Sequence, residues 1–160
     1  MRINNSKVKS TIISVYFVLV MLFIIFAFLF GTFGNLTSKS TLISLFVSSG
    51  FVILFFVVHY ISKYFEYDSD GLKVVVTNKG LLLSDRFNYR EQLLEFEKNE
   101  LYAFKFKNYF IYKTLTFYLK NKRDRKTNAV FNITLVNRRK RRYIRQSLDK
   151  IIKSNKNSAD

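Results

Sequence analysis

The hydrophobic pattern begins with two unbroken apolar runs and then changes to short alternating ones. Between Ser10 and Ser38 no side chain ionises, and "TIISVYFVLVMLFIIFAFLF", Thr11 to Phe30, supplies the roughly 20 apolar residues that about 30 Å of hydrocarbon requires. A second run, "TLISLFVSSGFVILFFVVHYIS" from Thr41 to Ser62, has only His59 as a group that can be charged near neutral pH. Both predict transmembrane helices. Two helices apolar on every face could not be wrapped by the remaining residues as the core of a soluble domain. The first run also exceeds the usual length of a signal-peptide apolar region, and no A-x-A-like cleavage site follows it.

After Lys63 the period becomes two. "LKVVVTNKGLLL" places Leu72, Val74 and Val76 on one face of a strand that turns at Asn78-Lys79-Gly80. Phe104 and Phe106 alternate with Lys105 and Lys107. Leu115, Phe117 and Leu119 oppose Thr114, Thr116 and Tyr118, while Phe131, Ile133 and Leu135 oppose Asn132 and Thr134. Turn signals fall at Asp68 to Gly71, Asn78 to Gly80, around Asn108, and across Asn121 to Asn128. Short strands joined in this way predict one antiparallel barrel or sandwich. At the end, Ile144, Leu148, Ile151 and Ile152 recur at helical spacing behind Asn137, a plausible N-cap, which predicts a closing amphipathic helix.

This order of elements resembles the bacterial pleckstrin-homology-like (PH-like) membrane proteins. The likeness is carried by two spans, "YFEYDSDGLKV" with "GLLLSDRFNY", then "KTLTFYLKNK", "NAVFNITLVN" and a terminal "YIRQSLDKII". It covers most of residues 11 to 153. One departure is "FNYREQLLEFEKNEL", Phe87 to Leu101, which replaces the family's common sequence there. The resemblance implies a membrane α-helical hairpin plus a cytoplasmic all-β PH-like barrel of about seven antiparallel strands, capped by the C-terminal helix. The expected layout is a cytoplasmic N-terminus at 1–10, spans at 11–33 and 41–62 around an external loop at 34–40, a cytoplasmic domain at 63–154 with its helix from about 138 to 154, and a disordered tail at 155–160.

Charge sets the expected orientation. All 11 carboxylates and 23 of the 27 basic side chains lie beyond residue 60. Near the membrane, Arg2, Lys7, Lys9 and Lys63 stand against Lys39 alone in the connection, so the positive-inside bias puts both termini in the cytoplasm of a bacterial inner membrane. A basic domain beside an anionic leaflet is attracted by about 1 kcal/mol for each basic residue near the surface. The densest run is "RRKRRYIRQ", where Arg138, Arg139, Lys140, Arg141, Arg142 and Arg145 are basic; a second group is Lys122, Arg123, Arg125 and Lys126 in "NKRDRKTN". Both are expected to meet lipid or a partner. Ala27 with Gly31 and Ser44 with Ser48 have the small-residue spacing that lets helices approach, either within the hairpin or in a homo-oligomer.

Several chemistries find no support. The chain has no cysteine, and its one histidine, His59, closes the second span as an interfacial anchor. "EYDSDG", Glu66 to Gly71, mimics the start of a calcium loop, but Thr77 stands where the bidentate Glu is needed. The carboxylates Glu91, Glu95, Glu97 and Glu100 lack an accompanying nucleophile or base and read as a solvated face. The aromatics that could stack on bases fall at core positions, so specific nucleic-acid binding is not expected. The expectation is a non-enzymatic protein without cofactors that binds a protein partner, anionic lipid head groups, or both. The alternative is an immunity protein or accessory subunit acting on a larger membrane-active partner, such as an antibacterial toxin or secretion complex.

Overall fold

A computed structural model describes residues 1–33, 40–81, 91–120 and 126–157. The elements run β1 (Arg2–Asn4), α1 (Val8–Phe33), α2 (Ser40–Ile61), β2 (Lys63–Asp68), β3 (Lys73–Gly80), β4 (Gln92–Glu97), a 3-10 turn (Lys98–Glu100), β5 (Leu101–Asn108), β6 (Lys113–Lys120), β7 (Lys126–Asn132) and α3 (Arg138–Asn157). Residues 34–39 of the expected external loop, and 158–160 of the expected tail, lie outside the described residues. The part of that tail up to Asn157 continues α3.

The chain divides into two compact units, and the division is not where the hydropathy pattern placed it. Lys7–Tyr60 forms one; Met1–Ser6 joins Ile61–Asp160 in the other. The first residues are therefore not a free tail. They form β1, antiparallel to β2 with Arg2 opposite Asp68 and Asn4 opposite Glu66. The helical unit is an insertion between two neighbouring strands of one sheet.

Within the helical unit, α1 and α2 are each long and apolar enough to cross a membrane, with candidate spans Val8–Thr32 and Thr41–Ile61. Aromatic rings join them. Tyr16 meets Phe55 edge-on at 5.2 Å and Phe23 meets Phe51 at 5.5 Å, arrangements that suit the ring quadrupoles. The Tyr16 hydroxyl also lies 3.5 Å from His59 Nδ1.

The other unit holds seven antiparallel strands in two sheets, ordered β1-β2-β3-β4 and β5-β6-β7. Alternation builds the core. Phe65 and Tyr67 of β2, Val74 and Val76 of β3, and Phe96 of β4 point inward from the first sheet. Leu115 and Phe117 of β6 and Phe131 of β7 meet them from the second, with Phe96 and Phe117 rings 5.7 Å apart. Each such Phe contributes about 1.5–3 kcal/mol by leaving water. Ile144, Leu148 and Ile151 add one face of α3 to the same core.

Four details differ from the periodicity. Leu72 is 91% exposed and precedes β3, because the Asp68–Gly71 turn runs one residue further than the alternation implied. The strand continues through Asn78, Lys79 and Gly80, where a turn was expected; Asn78 is buried and its Nδ2 donates to the Asn132 carbonyl at 2.8 Å, tying the sheets together. Thr114 and Thr116 are buried as well as Leu115 and Phe117, since β6 is the middle strand of its sheet. Strand β7 ends at Asn132, so Val136 rather than Leu135 enters the core after a turn closed by Val136 N–H to the Ile133 carbonyl.

Candidate functional site

The basic run begins α3, and its position follows from local capping and an apolar face. Asn137 Oδ1 accepts the Arg139 N–H at 3.1 Å, and the Asn137 carbonyl accepts Arg141 N–H at 2.9 Å, starting the helix. Burial of Ile144, Leu148 and Ile151 then fixes the rotation of α3. Three polar ties hold it along its length. Lys140 Nζ donates to the Asn4 carbonyl of β1 at 2.6 Å, Tyr67 Oη and Ser147 Oγ share a hydrogen bond of 3.0 Å, and Asn155 Nδ2 donates to the Lys98 and Leu101 carbonyls. Burial pushes the Tyr67 hydroxyl pKa up, although its bonds to Ser147 and Ser69 pull the other way.

With the helix so held, the start of α3 and the end of β5 line an open cavity of about 820 Å³. Phe106, Asn108 and Asn137 form part of its wall, and Arg138, Arg139, Arg141, Arg142 and Arg145 the rest. The arginines differ in their engagement. Arg145 stacks its guanidinium 5.0 Å from the Phe106 ring centre. Arg139 Nε donates to Tyr143 Oη at 3.1 Å; that bond raises the arginine pKa and lowers the tyrosine's. Arg141 Nε is buried and has no hydrogen-bond acceptor. Among the described residues, the ion pairs are Met1 N-terminus with Asp70, Arg2 with Glu66, and Lys73 with Glu95, so no carboxylate neutralises the cavity.

The structure brings only one of the two basic groups to this place. Lys126 begins β7 opposite Lys120, six rungs along the ladder from the Thr114–Asn132 pair, or about 20 Å at strand rise. Lys122, Arg123 and Arg125 lie outside the described residues. In the helical unit, Ala27 and Gly31 are exposed and nothing approaches a Cβ built on Gly31, while Ser44 and Ser48 are half-buried. The "EYDSDG" stretch folds as a hairpin turn in which Asp68 Oδ1 accepts the Asp70 N–H at 2.9 Å.

Sequence reasoning missed the β5–β6 tip. Tyr109 N–H donates to the Tyr112 carbonyl at 2.7 Å, closing a turn that leaves Tyr109, Phe110 and Ile111 exposed, Phe110 completely. The signal was present: "NYFIY" is a turn built from large apolar residues, where polar ones are usual. Tip and cavity adjoin through Asn108, which lines the cavity and precedes Tyr109.

Contacts within the β unit also locate both features at one end of it. Asn4, four residues before α1 begins, is held by Lys140. Ser62, directly after α2, accepts the Leu81 N–H beyond the end of β3. Asn78 near that end reaches Asn132, whose ladder partner Thr114 stands beside the β5–β6 tip. The cavity and tip thus occupy the end at which the chain leaves for, and returns from, the helical unit.

Comparison with known proteins returned nothing: no protein-family model, no curated protein and no solved structure matches the chain.

Proposed function

We propose that this is a two-span integral protein of a bacterial inner membrane, with both termini in the cytoplasm, whose basic PH-like β unit works against the anionic membrane surface or a protein held there. One observation carries the reading. Because β1 and β2 pair across the inserted helices, both ends of the hairpin must emerge on the same side of any membrane it crosses. Cleavage after the first apolar run would also remove β1, which argues against a signal peptide. The charge asymmetry then favours the cytoplasm as that side. The PH-like assignment is supported by a four-plus-three arrangement of antiparallel strands with a C-terminal helix on the core.

The chain contains no cysteine, so single substitutions give clean topology reporters. In intact bacterial cells, a membrane-impermeant maleimide is expected to label Asn35→Cys and not Asn157→Cys, with both labelling after lysis. Labelling of Asn157→Cys in intact cells would overturn the orientation.

The exposed Ala27 and Gly31 favour a second reading, an accessory or immunity subunit whose first span packs on a larger membrane partner. Rescue of cells from a neighbouring toxin gene by co-expression, lost on Gly31→Leu, supports it; unchanged rescue counts against that contact.

A further inference from the structure

We propose that the arginine-lined cavity and the adjoining Tyr109–Ile111 tip form a docking site for an anionic phospholipid, its phosphodiester seated among Arg138, Arg141 and Arg142 and Phe110 inserted among the acyl chains. The inference rests on the membrane reading above and deepens it, from general attraction to one defined site.

Four observations converge. The cavity presents five guanidinium groups with no carboxylate among the described residues to neutralise them. Guanidinium groups match the paired oxygens of a phosphate, and a helix N-terminus adds partial positive charge from the same direction. The buried Arg141 Nε–H lacks an acceptor, so the fold itself leaves that guanidinium uncompensated. Arginines in a first turn oppose the helix dipole, so helix stability does not account for them.

The apolar tip selects the source of the phosphate. A soluble phosphate would leave Phe110 in water, whereas a lipid supplies hydrocarbon next to its own head group. Tyr109 flanks it with a hydroxyl, the amphipathic character suited to the membrane interface. The tether makes this end the one closest along the chain to both apolar helices: three residues separate Asn4 from Val8, and Ser62 alone separates α2 from β2.

The chain has no tryptophan, so Phe110→Trp is a unique reporter of insertion. Full-length Phe110→Trp protein is placed in nanodiscs of phosphatidylcholine alone or with phosphatidylglycerol, using lipids brominated on their acyl chains. We expect Trp fluorescence to shift blue and be quenched when phosphatidylglycerol is present. Adding Arg138→Gln, Arg141→Gln and Arg142→Gln should lower the docked fraction ratio by at least about tenfold. The charge-matched Lys150→Gln, Lys153→Gln, Lys156→Gln protein, altered on exposed positions later in the same helix, should stay within about threefold of its parent.

Equal loss in the two triple variants would reduce the site to diffuse charge and overturn it. So would an unquenched reporter in every lipid mixture. Reversal of docking by millimolar inorganic pyrophosphate supports a phosphate seat, whereas tight pyrophosphate binding in phosphatidylcholine discs without any phosphatidylglycerol effect would overturn the lipid assignment. The membrane reading fails separately, by the cysteine-labelling pattern, so loss of this site leaves the topology standing.

Discussion

Asn5 and Phe65 exchange two hydrogen bonds: Asn5 N–H donates to the Phe65 carbonyl at 3.2 Å, and Asn5 Oδ1 accepts the Phe65 N–H at 2.9 Å. The Asn5 amide also donates to the Lys63 carbonyl at 3.0 Å, so one buried side chain prolongs the β1–β2 ladder where the main chain turns away toward α1. This contact binds the first residues of the chain to a strand about 60 positions later. Replacing Asn5 with Leu would strand the Phe65 N–H, and we expect a loss of about 1–3 kcal/mol in denaturation of the β unit. Asn5→Asp keeps the acceptor for Phe65 but sets a buried carboxylate against the Lys63 carbonyl, so its loss should shrink on acidification, when the acid O–H can donate there; a loss independent of pH would mean that this side-chain network is not the important one.

The inserted hairpin gives a second expectation. Residues 1–6 joined to 61–160 by a short Gly/Ser linker should fold as a soluble domain with native-like β signals in circular dichroism. Residues 64–160 alone lack β1, leaving β2 as an open edge, and should aggregate or unfold at lower denaturant. Similar stability of the two would show that β1 contributes little.

Beside the Asn5–Phe65 contact, where Glu66 stands opposite Asn4, a pH effect is expected from Glu66. Burial alone would raise its carboxyl pKa, but hydrogen bonds from Tyr64, at 2.7 Å, and from Arg2 overcome it and hold the group below the usual carboxylate value. A depressed folded pKa gives stability that is present above the unfolded value of about 4.3 and lost as pH falls through the lower folded value. Wild-type protein should therefore exceed Glu66→Gln in melting temperature at pH 6, and the gap should close on acidification below about pH 4. A gap independent of pH would point to lost packing instead. Burial, followed by the same Glu66 bond, pushes the Tyr64 hydroxyl up to about 12, so no alkaline transition from it is expected below pH 10.

Core and charge on α3 should separate by mutation. Leu148→Ala removes a fully buried side chain and should cost about 2–5 kcal/mol, with the helix loosened from the sheets. The Arg138→Gln, Arg141→Gln, Arg142→Gln variant should melt within a few degrees of wild type, because none of the three is bound to a carboxylate. Lys140 must be left intact in such tests, since its bond to Asn4 ties α3 to β1. A large loss of stability in the triple variant would mean that the arginines hold the fold.

Much of this arrangement is legible in the chain because it depends on local pattern. The apolar runs give α1 and α2, and alternation gives β3, β5, β6 and β7 wherever one face is buried and the other wet, whereas β4 lies in a stretch that reads as a solvated acidic face. Asn137 and the spacing of Ile144, Leu148 and Ile151 give the start of α3 to the residue, while its end runs three residues beyond the expected 154. The pattern misleads where tertiary contact overrides it. Asn78 reads as a turn residue, yet it is buried and paired with Asn132 across the sheets, and β6 buries its threonines because it lies between two strands.

What the sequence determined by itself was the presence of a hairpin, an alternating domain and a concentrated positive charge, all properties of neighbouring residues and their periods. Only the tertiary structure decided that "RIN" is a strand, since three residues have no measurable period and their partner lies beyond two helices. It alone brought Asn108 and an apolar tip beside the arginines of α3, and left Lys126 at the far end of its ladder. Linear charge density says how many cations a segment carries; folding decides which of them face one another around a space where no carboxylate among the described residues pairs with them.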